Sequence, residues 1–299
     1  MATPDKAQQT PLETLTAMNE QVGRTRKRPA RPVDTQKRVE RFYRKQLLQI
    51  VREIAKEVKA DILPILREEK ADYTGDSYTI DAWADRIIQA LTALAEKYTA
   101  SSFLSQYRRM AQRTVSMAEA ETTQAFVDSV NKAVGVDLRP MLSSENMSGY
   151  LEVATQANVE LIKSVPMEYF DRIQNAVFGG VRNGDAPTTI ARNIQKATGI
   201  TDRRARLIAR DQSAKLTGEI SERRQKQSGI KYFKWITSKD ERVGTDHARA
   251  AARDVGYGPG VYRWDNPPKE GIPGSATRPN CRCTATPIFE WQLPKDKRK

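Results

Sequence analysis

The sequence predicts a mainly α protein, in which a long N-terminal helical region is followed by a small, loop-rich α+β module at the C-terminal end. Between residues 34 and 228, apolar residues recur at three- and four-residue steps, as on the buried faces of amphipathic helices. A run of aromatic and β-branched residues comes next and is typical of a strand. A stretch rich in glycine and proline then predicts a long loop.

The chain has 299 residues, which is room for two globular units or for one unit with a helical arm. Changes in composition divide it into four segments. These are a disordered basic arm at 1–33, a helical region at 34–184, a module at 185–290 and a basic tail at 291–299.

The arm shows no helical period and is predicted to be disordered. Its cations lie among prolines without an acidic neighbour, and they are Arg24, Arg26, Lys27, Arg28 and Arg31. Such a cluster favours an electrostatic tether to DNA or to an acidic protein surface. A solvated tail without a partner is the alternative.

Two amphipathic helices follow the arm. The first has its apolar face at Leu47, Ile50, Ile54, Val58 and Ile62, and Pro64 should end or kink it because proline lacks a backbone donor. The second has the most regular period in the chain, with Ile80, Trp83, Ile87, Leu91, Leu94 and Tyr98 on one face. We interpret these side chains as core residues.

Further helices are predicted at 103–134, 149–164, 167–181, 188–196 and 202–227, with a turn at 198–201 between the last two. Two helices joined by a glycine turn resemble a helix-turn-helix, and the second contains Arg203, Arg204 and Arg206. Its basic residues occur all round the helix, however, and Ala205 and Ile208 belong to an apolar stripe. Helix packing is therefore favoured over use as a recognition helix.

The C-terminal module is predicted to contain two strands and one short helix. The strands are expected at 231–237 and 281–289, and the helix within 238–254. A loop rich in glycine and proline separates the helix from the second strand.

Composition restricts the class of partner. Lys and Arg number 50 against 37 Asp and Glu, a formal net charge of +13, which favours contact with a polyanion. No apolar run is long enough to cross a bilayer, and residues 1–15 lack the apolar segment of a secretion signal. We expect synthesis in the cytoplasm and no disulfide between Cys281 and Cys283, because so short a loop would be strained.

An ordered set of motifs then resembles a known family. The sequence YFKWITSKDERVGTDH, a spacer containing DNPP, and RPNCRC occur in that order. This arrangement is similar to the head-morphogenesis family typified by the phage Mu F protein, over roughly residues 187–289. The motif residues are Trp235, Asp240, Arg242, His247, Cys281, Arg282 and Cys283. Three positions depart from the pattern, namely Asp211, Gly244 and Arg278, and the last replaces a histidine that many members have.

The resemblance implies a minor capsid or head-morphogenesis protein that associates with the portal vertex during procapsid assembly. Its implied partners are the portal protein and the major capsid or scaffolding protein, with the packaged phage DNA as a further contact and no membrane. It would be found in the host cytoplasm during assembly and then in the virion head. No enzymatic activity is implied.

The chemistry of the module leaves two alternatives. His247, Cys281, Cys283 and Asp240 could together form a tetrahedral zinc site if the loop folds back. Alternatively, the two cysteines are small buried residues and the histidine is hydrogen bonded, while Asp240 and Arg242 pair with backbone groups or with Arg282.

Two other functions compete with head morphogenesis. A DNA-binding protein of packaging or regulatory type would use the arm and the arginines at 203–206. A metal-dependent nuclease would use Asp240 and His247. Against enzymatic activity, the sequence contains no Walker A motif.

Overall fold

The fold is given by a computed structural model, which describes residues 10–21, 27–32, 34–72, 77–142, 145–275 and 280–298. It confirms the predicted fold class: the protein is mainly helical, with one small antiparallel sheet near its C-terminal end. The helices are α1 Pro11–Gln21, α2 Gln36–Asp61, α3 Leu63–Asp72, α4 Ser77–Thr99, α5 Ser101–Val134, α6 Glu145–Asn183, α7 Pro187–Gln227 and α8 Thr245–Ala252. Short 3-10 turns occur at Arg139–Met141, Glu290–Gln292 and Lys295–Lys297. Among the described residues, no helix is both long and apolar enough to span a membrane.

The predicted apolar faces of α2 and α4 are buried. On α2 these are Leu47, Ile50, Ile54, Val58 and Ile62, and on α4 they are Trp83, Ile87, Leu91, Leu94 and Tyr98. The side chain of Ile80 lies outside the described residues. Pro64 sits at the second position of α3, where its missing N–H has no helical partner to lose. The proline therefore separates α2 from α3, as expected.

The structure differs from the sequence prediction at α6, which is one helix where two were predicted. Pro166 lies inside it and should cost about 3 kcal/mol relative to alanine. Ile162, Val165 and Tyr169 are almost completely buried on either side of the proline. Burial of each such side chain contributes about 2 kcal/mol, so packing outweighs the break.

The predicted turn at 198–201 is also absent, because α7 continues through it. Gly199 costs only about 1 kcal/mol in a helix interior. Ala197, Thr201 and Ala205 are buried around it, and the Thr201 hydroxyl donates to the Ala197 carbonyl at 3.0 Å. The helix-turn-helix alternative thus loses the turn on which it depended.

Part of the predicted arm is ordered. Helix α1 begins with a capping box, in which the Glu13 N–H donates to Thr10 Oγ1 at 3.3 Å and the Thr10 N–H donates to Glu13 Oε2 at 2.9 Å. The Thr-Pro-Leu-Glu sequence contains the capping-box pattern of a helix start, although no apolar period follows it. Residues 1–9, 22–26 and 33 lie outside the described residues.

The sheet has the strand order β2-β1-β3 and is antiparallel throughout. Its central strand is β1 Tyr232–Ile236, flanked by β2 Val261–Arg263 and β3 Thr284–Ile288. Both predicted strands are confirmed, whereas β2 was not predicted because its three residues lie in the loop rich in glycine and proline. Pro287 lies on the edge strand β3, where a missing backbone donor is tolerated.

The chain forms two compact units, each assembled from separated stretches. The sheet unit comprises Met1–Glu40, Val115–Glu152 and Asp211–Lys299, and the helical unit comprises Arg41–Thr114 and Val153–Arg210. The helical unit has one apolar core that includes Tyr43 and Trp83. The sheet unit contains separate apolar clusters, one of which surrounds β1.

Candidate functional site

Three side chains with metal-binding chemistry meet in the sheet unit. His247, Cys281 and Cys283 are each at most 4% exposed, and their ligand atoms all lie within 4.8 Å of one another. Nδ1 of His247 is 3.5 Å from the Cys281 sulfur and 3.7 Å from the Cys283 sulfur. One ring nitrogen therefore faces both sulfurs.

Local structure explains this arrangement. The two cysteines precede β3 in non-helical chain, and side chains two residues apart in extended chain point to the same side. His247 lies in the first turn of α8, which a hydrogen bond from the Tyr262 hydroxyl to the Ala250 carbonyl ties to β2 at 2.6 Å. The His247 ring packs against Trp235 of β1 in an edge-to-face arrangement, with ring centroids 5.3 Å apart.

The two cysteine side chains shift each other's pKa in opposite directions. Interaction with the Cys283 side chain lowers the pKa of Cys281 against the effect of burial, and the backbone N–H groups of Cys283 and Gly274 lower it further. Interaction with the Cys281 side chain, together with burial, raises the pKa of Cys283.

Asp240 is not part of this cluster, which corrects the predicted ligand set. It is an exposed residue, and its carboxylate accepts hydrogen bonds from the Arg282 guanidinium at 2.6 and 2.7 Å. The Arg242 N–H donates to Asp240 Oδ1 at 3.1 Å. Arg282 holds the pKa of Asp240 below its usual range. Both carboxylate oxygens of Asp240 thus have partners outside the cluster.

Residues of α7 that support the site carry no local signal in the sequence. Gln225 is completely buried, its amide donates to the Ala285 carbonyl at 3.1 Å, and its oxygen accepts from Trp264 Nε1 at 3.3 Å. These partners are 60 and 39 residues away along the chain. Only the tertiary fold brings them together.

Two glycines allow α7 to approach the loop before Cys281 closely. A Cβ added to Gly218 would lie 2.5 Å from the Pro273 carbonyl oxygen, and one added to Gly274 would lie 2.7 Å from the Ala214 carbonyl oxygen. Gly274 also has φ +89°, a conformation that side chains other than glycine rarely adopt. Since the Gly274 N–H donates to the Cys281 sulfur, this close approach positions one side of the cysteine site.

The predicted cations of the arm fall into two groups. Arg24 and Arg26 lie outside the described residues, whereas Lys27, Arg28 and Arg31 are described and exposed. The backbone there is held on α5, because the Arg28 N–H donates to the Ala133 carbonyl at 3.0 Å and the Arg31 N–H to Ser129 Oγ at 3.0 Å. These three side chains are therefore presented to solvent from an anchored segment.

The predicted cations of α7 differ from one another. Arg203 is exposed, whereas Arg204 pairs with Glu168 at 2.6 Å and Arg206 with Asp202 at 3.0 Å. An arginine that is already paired with a carboxylate attracts a phosphate less strongly than one without such a partner. This turn of α7 is thus a weaker anion-binding surface than its sequence suggested.

Comparison with known proteins supports the resemblance seen in the sequence. Residues 171–286 match the family described as Phage Mu protein F like protein, and the match includes α7, the sheet and the His247 cluster. An uncharacterized protein of Haemophilus influenzae strain Rd is 31% identical over 271 residues. That alignment covers 89% of this chain, and the chain spans 57% of the length of the relative. No solved structure matches the chain.

Proposed function

We propose that this chain is a minor capsid protein of a tailed bacteriophage, which associates with the portal vertex during procapsid assembly. The match of residues 171–286 to the Mu F-like family is the observation that supports this function, because that family indicates phage head morphogenesis. The matched region includes the whole three-stranded sheet except its last two residues.

In this proposal the sheet unit is a folded docking module. Its cysteines and histidine are buried, so a partner would meet the outside of the module and not these side chains. The helical unit supplies a separate apolar core. Such an assembly role requires no catalytic group.

Contact with packaged DNA is a second part of the proposal. The net charge of +13 favours a polyanion, and Lys27, Arg28 and Arg31 are exposed on an anchored segment. A regulatory DNA-binding protein would read base edges with a recognition element. The unbroken α7 removes the helix-turn-helix candidate for that element.

Co-expression with the portal protein of the same phage tests the assembly role. The full chain should co-purify with assembled portal through size-exclusion chromatography, and it should be found in procapsids isolated before DNA packaging. A chain that binds neither free portal nor portal in procapsids would remove the proposal. Sequence-specific DNA binding without portal binding would favour the regulatory alternative.

A further inference from the structure

We propose that His247, Cys281 and Cys283 bind one zinc ion that stabilises the sheet unit. This inference is independent of the assembly function, because it rests on the geometry of three buried side chains. Asp240, which the sequence had suggested as a fourth ligand, has no part in it.

The distances between the ligand atoms already fit a bound ion. Zinc bonds to a histidine nitrogen at about 2.0 to 2.1 Å and to a cysteine sulfur at about 2.3 Å, with tetrahedral angles. These values require a nitrogen to sulfur separation of about 3.6 Å. The observed separations from His247 Nδ1 are 3.5 Å to Cys281 and 3.7 Å to Cys283. Both nitrogen to sulfur distances therefore match those expected around a bound zinc ion.

Hydrogen bonding alone explains the cluster less well. A neutral imidazole has one acceptor nitrogen, which can accept a proton fully from only one thiol. Here the same nitrogen faces two sulfurs at nearly equal distance. The other ring nitrogen, Nε2 of His247, is buried and has no hydrogen-bond partner among the described residues. A shared cation explains why both sulfurs lie close to the same nitrogen.

The three side chains define which ion the site would bind and what role that ion would have. Within the described residues, no other His, Cys, Asp or Glu side chain joins the three. The donor set of one imidazole and two thiolates suits zinc, and a water molecule would complete the coordination. Three protein ligands and a water are also found in catalytic zinc sites, but burial of all three ligands leaves little access for a substrate, so we assign this ion a stabilising role.

The ion would join distant parts of the module. His247 lies on α8, and the cysteines follow 34 and 36 residues later, after the loop. A metal that binds only the folded state, in which these parts of the chain are together, stabilises that state by mass action. Removal of zinc should therefore lower the unfolding temperature.

The first experiment uses the unmodified full chain. Protein purified from zinc-supplemented medium should contain one zinc per chain by elemental analysis, and its two thiols should react with an alkylating agent only after addition of a chelator. Cobalt added to the zinc-free chain should give the absorption of a tetrahedral site with thiolate ligands. A folded chain that contains no zinc and takes up neither metal on titration would overturn the proposal.

Matched variants then identify the ligands. Cys283→Ser and His247→Gln should each weaken zinc binding by more than about 100-fold, since loss of an outer-sphere partner alone costs about 10- to 100-fold. Asp240→Asn is the control and should bind zinc as tightly as the unmodified chain. Unchanged affinity in His247→Gln, or loss of affinity in Asp240→Asn, would contradict the ligand set. If a variant does not fold, cobalt titration of the unmodified chain still tests whether the site binds a metal.

Discussion

At the scale of single residues, the sheet unit depends on a buried arginine. The side chain of Arg224 is 4% exposed, and its guanidinium donates to Glu119 at 2.6 Å, Thr123 at 2.9 Å and Gln227 at 2.9 Å. Removal of one partner from a buried ion pair leaves the other charge without compensation. Glu119 is partly exposed, so water would compensate part of that loss.

We expect Arg224→Met to lower the free energy of unfolding by about 2 kcal/mol, as measured by urea denaturation. Arg203→Met on the same helix is the matched control, because an exposed substitution changes stability by about 0.5 kcal/mol or less. Adding Glu119→Leu to Arg224→Met should recover part of the loss, since the unpaired carboxylate is then gone. Equal effects of the substitutions at 224 and 203 would contradict a role for the ion pair.

Residue types and spacing predicted part of the candidate site. The Cys-x-Cys pair and the single histidine were identified from the sequence, and the structure brings them together. The sequence left Asp240 either as a zinc ligand or as a partner of Arg282, and it could not decide between them because Arg282 lies 42 residues away along the chain. The supporting role of Gln225 could not be predicted from the sequence, since only the tertiary fold brings its hydrogen-bond partners to it.

At the scale of elements, local periodicity predicted those helices whose sequence and packing agree. The faces of α2 and α4 are examples, because every described member of each apolar stripe is buried. Pro166 and Gly199 misled the prediction, since each locally disfavours a helix that the core then stabilises. Strand β2 is too short to show a period at all.

The close approach of α7 to the loop before Cys281 leads to a prediction for two glycines of one helix. Gly199→Ala has open space, with its nearest neighbour 3.9 Å away, and should raise the free energy of unfolding by up to about 1 kcal/mol. Gly218→Ala should lower it instead, because the new Cβ would lie 2.5 Å from the Pro273 carbonyl oxygen and 3.0 Å from Gly274.

Two measurements check this pair of substitutions. Urea denaturation should give opposite signs for the two variants. With a chelator present, alkylation of the cysteines should be faster in Gly218→Ala than in Gly199→Ala, because displacement of Gly274 loosens the loop that buries Cys281. A stabilised Gly218→Ala variant with unchanged thiol reactivity would show that the close approach is not required.

At the scale of the whole molecule, the boundaries of the two compact units were not visible in the sequence. Composition placed the divisions at 33, 184 and 290, whereas the chain passes from one unit to the other within α2, α5, α6 and α7. A boundary inside a continuous helix leaves no proline, glycine or charge signal in the sequence. The net charge of +13 is by contrast a property of the whole sequence, and it leads directly to a prediction about DNA.

If the protein binds packaged DNA, its affinity for random-sequence duplex should fall steeply with salt concentration, without a preference between sequences. Replacing Lys27, Arg28 and Arg31 with Gln should reduce the slope of log affinity against log salt by about 0.9 for each phosphate that is no longer neutralised. These three cations are exposed on a segment anchored to α5, so each can reach a phosphate at little conformational cost.

The matched control replaces Arg203, Arg204 and Arg206 with Gln and removes the same formal charge. We expect a smaller reduction in slope, because Arg204 and Arg206 are already paired with Glu168 and Asp202. Filter binding or fluorescence anisotropy at several salt concentrations measures both slopes. Equal slopes in the two triple variants would assign the salt dependence to net charge alone, and a marked preference for one DNA sequence would favour a regulatory role over a place in the phage head.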